Sequence, residues 1–163
     1  MKKIICLFSL LCLALLYFNQ NVLANEKLND KFELISSETI YFNDGTYIVN
    51  EVLEERLEVV FYNNSYSKSG IRNVTKYDGI NVVWNYKLSA NYMIEEGISS
   101  SCINSSYSTD IYYSGWSFGD GETYYFENVA YGVGTFYYKV LFITINTEKI
   151  DITLSCDCYG NLS

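Results

Sequence analysis

Residues 80–92 read INVVWNYKLSANY, and apolar side chains occupy every second position from Ile80 to Tyr92. The positions between them are polar, with the exception of Val83. Strict alternation over this length is typical of a β-strand with one buried side and one solvent-facing side. This stretch therefore predicts a long strand in a protein built from sheets.

Asp-Gly dipeptides punctuate the chain at residues 44–45, 78–79 and 120–121. This pair favours tight hairpin turns because its residues tolerate a positive φ. The first two are expected to join the strands on either side of them. The third is expected to close a hairpin before a strand at residues 122–131.

The C-terminal part predicts another hairpin. Residues 136–145 are apolar on both faces, which favours a central strand, and they lead through residues 146–149 into an alternating strand at 150–156. Several short strands with turn signals between them, rich in β-branched and aromatic residues, predict an all-β fold. We expect a small antiparallel β-sandwich of the immunoglobulin-like kind, with a small barrel as the alternative.

One segment, residues 49–56, is ambiguous. Val49, Val52 and Leu53 follow helical spacing, and the surrounding glutamates favour a short helix. A strand at residues 57–62 is expected to follow it.

The N-terminal residues have the pattern of a cleavable signal peptide. Lys2 and Lys3 precede an unbroken apolar run at residues 4–18, and Ala24 suits the cleavage site. The run is too short for a permanent membrane span, which needs about 20 residues. We therefore expect a signal peptide at 1–24 and a secreted product with no stable membrane anchor.

We expect residues 25–163 to form a single domain. Residues 25–76 are its N-terminal region, with strands and the possible short helix, and residues 77–163 are its sandwich core. Removal of Lys2 and Lys3 from a chain of formal net charge −8 leaves −10. Such a charge opposes binding to nucleic acid and to anionic membranes. An extracellular glycan or protein is the expected partner.

Three cysteines remain after the expected cleavage: Cys102, Cys156 and Cys158. An oxidising compartment favours one disulfide. Alternation along residues 150–156 turns Cys156 toward the apolar side of its strand, so we favour a Cys102–Cys156 bridge. Cys158 is then free, or it links two chains into a dimer.

The chain from Tyr77 to the C-terminus, about half of its length, resembles a family of short secreted proteins of Gram-positive anaerobes whose function is not established. The resemblance is carried by Gly79, Trp84, Gly97, Cys102, Trp116, Ala130, the run Thr153-Leu154-Ser155-Cys156, Gly160, Leu162 and Ser163. These motifs are structural in kind. The resemblance supports the Cys102–Cys156 bridge and implies no activity, and Cys158 departs from the pattern.

The chain contains no histidine. This excludes Ser-His-Asp and Cys-His catalysis and the usual zinc sites. The sequence also lacks a glycine-rich phosphate loop, so we expect no catalytic residues, no cofactor and no metal. Carboxylates could still act in pairs, and the candidates are Glu54-Glu55, Glu95-Glu96 and Asp120 with Glu122. Calcium could bind at Asp120-Gly121-Glu122 or at Asp151 with Asp157, although neither has EF-hand spacing.

Aromatic residues are the positive functional signal, since the chain holds 17 tyrosines. Tyrosines at both parities of a strand cannot all point inward, so some form surface platforms that bind sugars or peptides. The expected binding surface comprises Tyr112, Tyr113, Trp116, Tyr124 and Tyr137. We therefore predict a non-enzymatic secreted binding domain. A small carboxylate-dependent hydrolase and a toxin-like secreted antagonist are the alternatives.

Overall fold

The computed structural model describes residues 31–56 and 65–163. The signal peptide expected at 1–24 and the strand expected at 57–62 lie outside the described residues. The strands are β1 (Phe32–Tyr41), β2 (Thr46–Glu55), β3 (Ser65–Asp78), β4 (Asn81–Glu95), β5 (Ser99–Ile111), β6 (Trp116–Phe126), β7 (Val129–Val140) and β8 (Ile143–Ser155).

These strands form two antiparallel sheets, which confirms the predicted all-β sandwich. β1 to β5 make a five-stranded sheet and β6 to β8 a three-stranded sheet, and in each the spatial order follows the chain order. Immunoglobulin domains instead exchange strands between their sheets along the chain. The boundary expected between residues 76 and 77 falls inside β3. The N-terminal region and the beginning of the predicted sandwich core therefore belong to one sheet.

The core lies between the sheets, on what we call the inner face of each sheet. The even-numbered residues from Trp84 to Ile94 are all buried there, as the alternation of β4 predicts. The Trp84 ring stacks on Phe136 of β7, with ring centroids 4.2 Å apart. Gly134 permits a close approach of the sheets, since a Cβ at this position would lie 2.8 Å from the Tyr86 ring.

Two of the predicted Asp-Gly hairpins are confirmed. β1 and β2 pair on either side of Asp44-Gly45, where Gly45 has a φ of 86°. β3 and β4 pair on either side of Gly79, whose φ is 58°. The positive φ explains why glycine serves at both turns.

The turn predicted at Asp120-Gly121 is wrong. β6 passes through these residues with a bulge between Phe118 and Gly121, and Gly121 pairs with Gly134 of β7. The Phe118 ring occupies the space where a Gly121 side chain would stand, 2.5 Å from a Cβ built there. Gly121 therefore serves close packing rather than a turn.

The turn predicted at residues 146–149 is also wrong. β7 is the middle strand of its sheet, as predicted, but it ends at Val140, and the two-residue turn is Leu141-Phe142. Residues 146–149 belong to β8 instead. The apolar run contains no Gly, Asn, Asp or Pro, so the sequence pattern does not indicate a turn at two residues with large side chains.

The short helix expected near residues 49–56 is also wrong, because β2 covers Thr46–Glu55. β2 lies between β1 and β3, so both of its edges form sheet hydrogen bonds. Val52 faces the core and is 2% exposed. Tertiary pairing and burial therefore outweigh the helical propensity of the glutamates.

Candidate functional site

The outer face of the five-stranded sheet, turned away from the three-stranded sheet, contains a cavity of about 440 Å³. Neighbouring strands β2, β3 and β4 form its floor. The register places Asn73 opposite both Glu51 and Lys87, and it places Thr75 opposite Asn85. All five of these polar residues line the cavity.

A directed chain of hydrogen bonds joins the polar side chains of this floor. Asn73 Nδ2 donates to the Glu51 carboxylate at 2.9 Å. Asn85 Nδ2 donates to Asn73 Oδ1 at 2.6 Å and to Thr75 Oγ1 at 2.7 Å. Each side-chain amide donates in the direction of Glu51. The side-chain oxygen of Asn85, Oδ1, is therefore the acceptor at the opposite end of this hydrogen-bonded series.

The Asn85 carbonyl oxygen has no hydrogen-bond partner within the described part of the chain, although this side chain is only 5% exposed. A buried acceptor without a donor costs roughly 1–3 kcal/mol. Because an amide oxygen only accepts, the group that satisfies it carries an O–H or N–H. Asn85 lines the cavity, and a ligand there reaches this oxygen only when the side chain moves, because the atom itself is buried.

Apolar side chains and one tyrosine form the walls of the cavity. The apolar members are Phe32, Leu34, Leu53, Ile71 and Val82. Tyr112 reaches the cavity because the chain bends after β5, where its backbone N–H donates to the carbonyl of Val83 at 3.0 Å. Burial and the nearby Asp110 carboxyl raise the pKa of Tyr112, so its hydroxyl stays protonated at neutral pH.

The five aromatic residues predicted as one binding surface occupy separate places. Tyr112 lines the outer cavity, whereas Tyr113 and Trp116 line a second cavity of about 210 Å³. Tyr124 stacks on Tyr131, with ring centroids 4.7 Å apart. Tyr124 and Tyr137 both lie on the outer face of the three-stranded sheet. Tyr124 pairs there with Tyr131, and Tyr137 pairs with Ser117.

Trp116 is engaged in packing around a buried cation. Lys76 is 4% exposed and its ammonium group pairs with the Glu148 carboxylate. The same Nζ lies 5.2 Å from the centroid of Trp116 and 5.5 Å from that of Phe42. Charge pairing and cation–π contacts together offset the cost of burying this lysine.

The carboxylate pairs considered for catalysis are mostly separated. Glu54 pairs with Lys68 at 2.8 Å and Glu55 with Lys31 at 2.7 Å, and these neighbours in a strand point to opposite faces. Glu95 and Glu96 are exposed at the end of β4. The third candidate pair, Asp120 with Glu122, lines a cavity of about 370 Å³ on the three-stranded sheet together with Asp151 and Lys149.

Within residues 31–56 and 65–163, no group of three or more carboxylate or cysteine side chains is arranged to hold a metal ion. The Asp157 carboxylate accepts hydrogen bonds from the backbone of Tyr159 and Asn161, each at 2.8 Å. Hydrogen bonds from the Asn161 side chain and backbone are the main reason why the pKa of Asp157 is lowered. Asp157 thus stabilises the C-terminal turn.

Cys102 and Cys156 are buried free thiols, and Cys158 is a partly exposed one. Burial raises the pKa of both Cys102 and Cys156. Tyr92 lies near both thiols, and its hydroxyl donates a hydrogen bond to the Leu154 carbonyl. Burial is the main cause that raises the pKa of Tyr92. The bridge between Cys102 and Cys156 stays a prediction.

We expect the stability of the reduced protein, in which Cys102 and Cys156 are free thiols, to fall steeply at alkaline pH. Burial raises the pKa of Tyr86 to about 12 and also raises those of Tyr92, Cys102 and Cys156. A raised pKa means that the fold favours the protonated form. The resulting stability is complete below the ordinary values, near 9 for the thiols and 10 for tyrosine. This stability is lost as pH rises from the ordinary pKa to the pKa in the folded protein, at about 1.4 kcal/mol per pH unit for each group.

Urea unfolding at a series of pH values measures this loss. Between about pH 6 and 8 we expect little change, because the chain has no histidine to titrate there. Tyr86→Phe is the matched control, and it should flatten the slope between about pH 10 and 12. A stability that stays constant up to about pH 11 would contradict the prediction.

Comparison of the chain with models of known families, with curated proteins and with solved structures finds no match. Among the residues described, no helix has the length and apolar character needed to cross a membrane.

Tyr112 is predictable from the sequence as a binding residue, whereas the polar floor beside it is not. Asn85 and Lys87 occupy the solvent-facing positions of the long strand, where polar residues are ordinary. The available signal was the outward series of amides and hydroxyls in two adjacent strands, Asn73 and Thr75 facing Lys87 and Asn85. Only the strand register shows that these residues meet.

Proposed function

We propose that this protein is a secreted, non-enzymatic binding domain whose outer cavity takes part of a neutral glycan. The observation that carries the proposal is the cavity whose polar floor is a hydrogen-bonded chain of side chains that ends at the unpaired side-chain oxygen of Asn85. An extracellular protein segment is the other ligand that the export signal and composition allow.

Glycan chemistry suits the mixture of groups around the cavity. A sugar hydroxyl can donate to Asn85 Oδ1 and accept from the Lys87 ammonium group, since hydroxyls do both. Phe32 and Tyr112 offer ring surface to the C–H face of a sugar ring. The acidic character of the chain disfavours anionic polysaccharides, which leaves neutral ones.

A glycan array followed by calorimetry with soluble oligosaccharides tests this proposal. We expect Asn85→Leu, which keeps the volume and removes the acceptor, to weaken binding at least tenfold, about 1.4 kcal/mol. Tyr112→Ala should have a similar effect through lost ring contact. Tyr124→Ala is the matched control, since this tyrosine lies on the other sheet, and it should leave affinity unchanged.

Two outcomes would contradict the proposal. One is a folded wild-type protein that binds none of the neutral glycans. The other is binding that depends on Tyr124 and is indifferent to Asn85 and Tyr112, which would move the site to the three-stranded sheet.

A carboxylate-dependent hydrolase is the second candidate. It is favoured by the presence of Asp120, Glu122 and Asp151 in the lining of one cavity. Turnover of an oligosaccharide that is lost in Glu122→Gln would establish it, because a general acid or nucleophile requires that carboxyl group. Product release with intact Glu122→Gln activity would exclude Glu122 from the chemistry.

A further inference from the structure

The turn between β7 and β8 exposes the most apolar segment of the described surface. Leu141 is 85% exposed and Phe142 is 100% exposed. Val140, Ile143 and Ile145 beside them are exposed as well. No charged residue occurs from Val140 to Thr147, and the polar residues of this stretch, Thr144, Asn146 and Thr147, all follow the turn.

The backbone of this tip is held in an unfavourable conformation. Leu141 and Phe142 have φ angles of 47° and 71°, in the left-handed region that favours Gly and Asn. Two consecutive positive φ values match the type I′ hairpin turn, for which Asn-Gly is the preferred pair. Large apolar residues here raise the energy of the folded state and gain no packing in return, since both are exposed.

Other apolar residues lie at the same end of the sandwich, which we call the tip end. The adjacent turns contribute Tyr41, Phe42, Ile80, Tyr112 and Tyr113. Their proximity follows from the packing, since Trp84 at the start of β4 stacks on Phe136 near the end of β7. Lys76 links the β1–β2 turn to β8 through Phe42 and Glu148.

We propose that the tip end inserts into the surface of an electrically neutral lipid bilayer. Separate protruding turns, rather than a groove or flat face, suit a fluid apolar layer that needs no complementary shape. Leu141 and Phe142 would enter the acyl region, while Tyr41, Tyr112 and Tyr113 lie behind them at the depth where tyrosines favour the interface. The acidic charge of the chain makes anionic membranes poor partners, so the proposal commits to zwitterionic lipid.

Sedimentation with phosphatidylcholine vesicles tests the proposal. The decisive variant is the double substitution Leu141→Asn with Phe142→Gly, which installs the preferred residues of this turn. It removes the apolar tip and relieves the backbone, so its melting temperature should rise. We expect vesicle partitioning to fall roughly 100-fold, because each large side chain is worth about tenfold or more in transfer from water.

Ile98→Asn is the matched control. Ile98 is also highly exposed, at 72%, but it lies in the β4–β5 turn at the opposite end of the sandwich. Partitioning of this variant should equal that of the wild type. Added salt should change binding to phosphatidylcholine little, because the interaction is apolar. Phosphatidylserine should weaken binding, because the chain is acidic and repels anionic lipid.

Three results would overturn the proposal. The folded wild type could fail to bind phosphatidylcholine vesicles, or the double variant could bind them equally well. Sedimentation equilibrium without lipid could instead show a dimer that the double variant abolishes, which would assign the tip to a second copy of the chain. The double variant leaves Asn85 and Tyr112 unchanged, so failure here and failure of glycan binding are distinguishable.

Discussion

Trp84→Ala is expected to lower the free energy of unfolding by about 3–5 kcal/mol, which is a large part of the stability of a domain of this size. The Trp84 side chain is fully buried and its ring stacks on Phe136 across the two sheets. Removal of the indole leaves a cavity that strands hydrogen-bonded on both edges cannot collapse to fill. Urea denaturation monitored by circular dichroism measures the change.

Trp84→Phe separates the two contributions of this residue. The indole Nε1 is buried and has no hydrogen-bond partner among the described residues. Phe keeps most of the stacked ring and removes this unpaired donor, so its cost should be smaller than that of Ala. Ile80→Ala is the surface control and should change stability by less than about 0.5 kcal/mol, because Ile80 is 94% exposed. A Trp84→Ala loss below about 1 kcal/mol would contradict the packing described above.

Strand parity was predictable because alternation is local information. The inward positions from Trp84 to Tyr92 are buried as predicted, whereas Ile80 is 94% exposed and Val83 is buried, because the register shifts at the start of β4. The Asp-Gly turns at 44–45 and 78–79 were predictable for the same reason, since positive φ is a property of the residues themselves. Local patterns therefore identify strands and conventional turns.

The errors came from features that tertiary contacts decide. β2 has a helix-like sequence but is held by a strand on each side. Gly121 resembles a turn residue, yet its missing side chain makes room for Phe118. The Leu141-Phe142 turn has no turn residue at all. In each case the sequence pattern records only part of what stabilises the conformation.

The candidate site was less predictable than the fold. Aromatic enrichment indicated a binding protein and included Tyr112, but composition cannot tell which aromatic rings share a surface. The cavity depends on the lateral order of β2, β3 and β4, which brings Glu51, Asn73 and Asn85 into one hydrogen-bonded chain. The β3–β4 hairpin is predictable from the Asp-Gly turn, but β2 is not, because residues 49–56 have helical spacing; a site that needs all three strands is therefore visible only in the assembled sheet.

The remaining prediction with a large effect concerns the thiols. We expect the exported protein to contain a Cys102–Cys156 bridge, because both side chains are buried beside Tyr92. The β6–β7 turn connects their backbones, since Cys102 N–H donates to the Glu127 carbonyl at 2.7 Å and Cys156 N–H donates to the Asn128 carbonyl at 3.1 Å. An oxidising compartment supplies the electron acceptor that bridge formation requires.

A bridge that closes about 55 residues should stabilise the domain by roughly 4 kcal/mol on the chain-entropy model, less if it is strained. Peptide mass spectrometry without reduction identifies the linkage, and denaturation with and without reductant measures its effect. Cys158→Ser is the matched control and should change neither result, whereas Cys102→Ser should abolish both. Cys158 is partly exposed, so alkylation of the native protein should label it first. A dominant Cys102–Cys158 linkage would show that the predicted pairing is wrong, and three free thiols in exported protein would show that the packed sheets alone stabilise this fold.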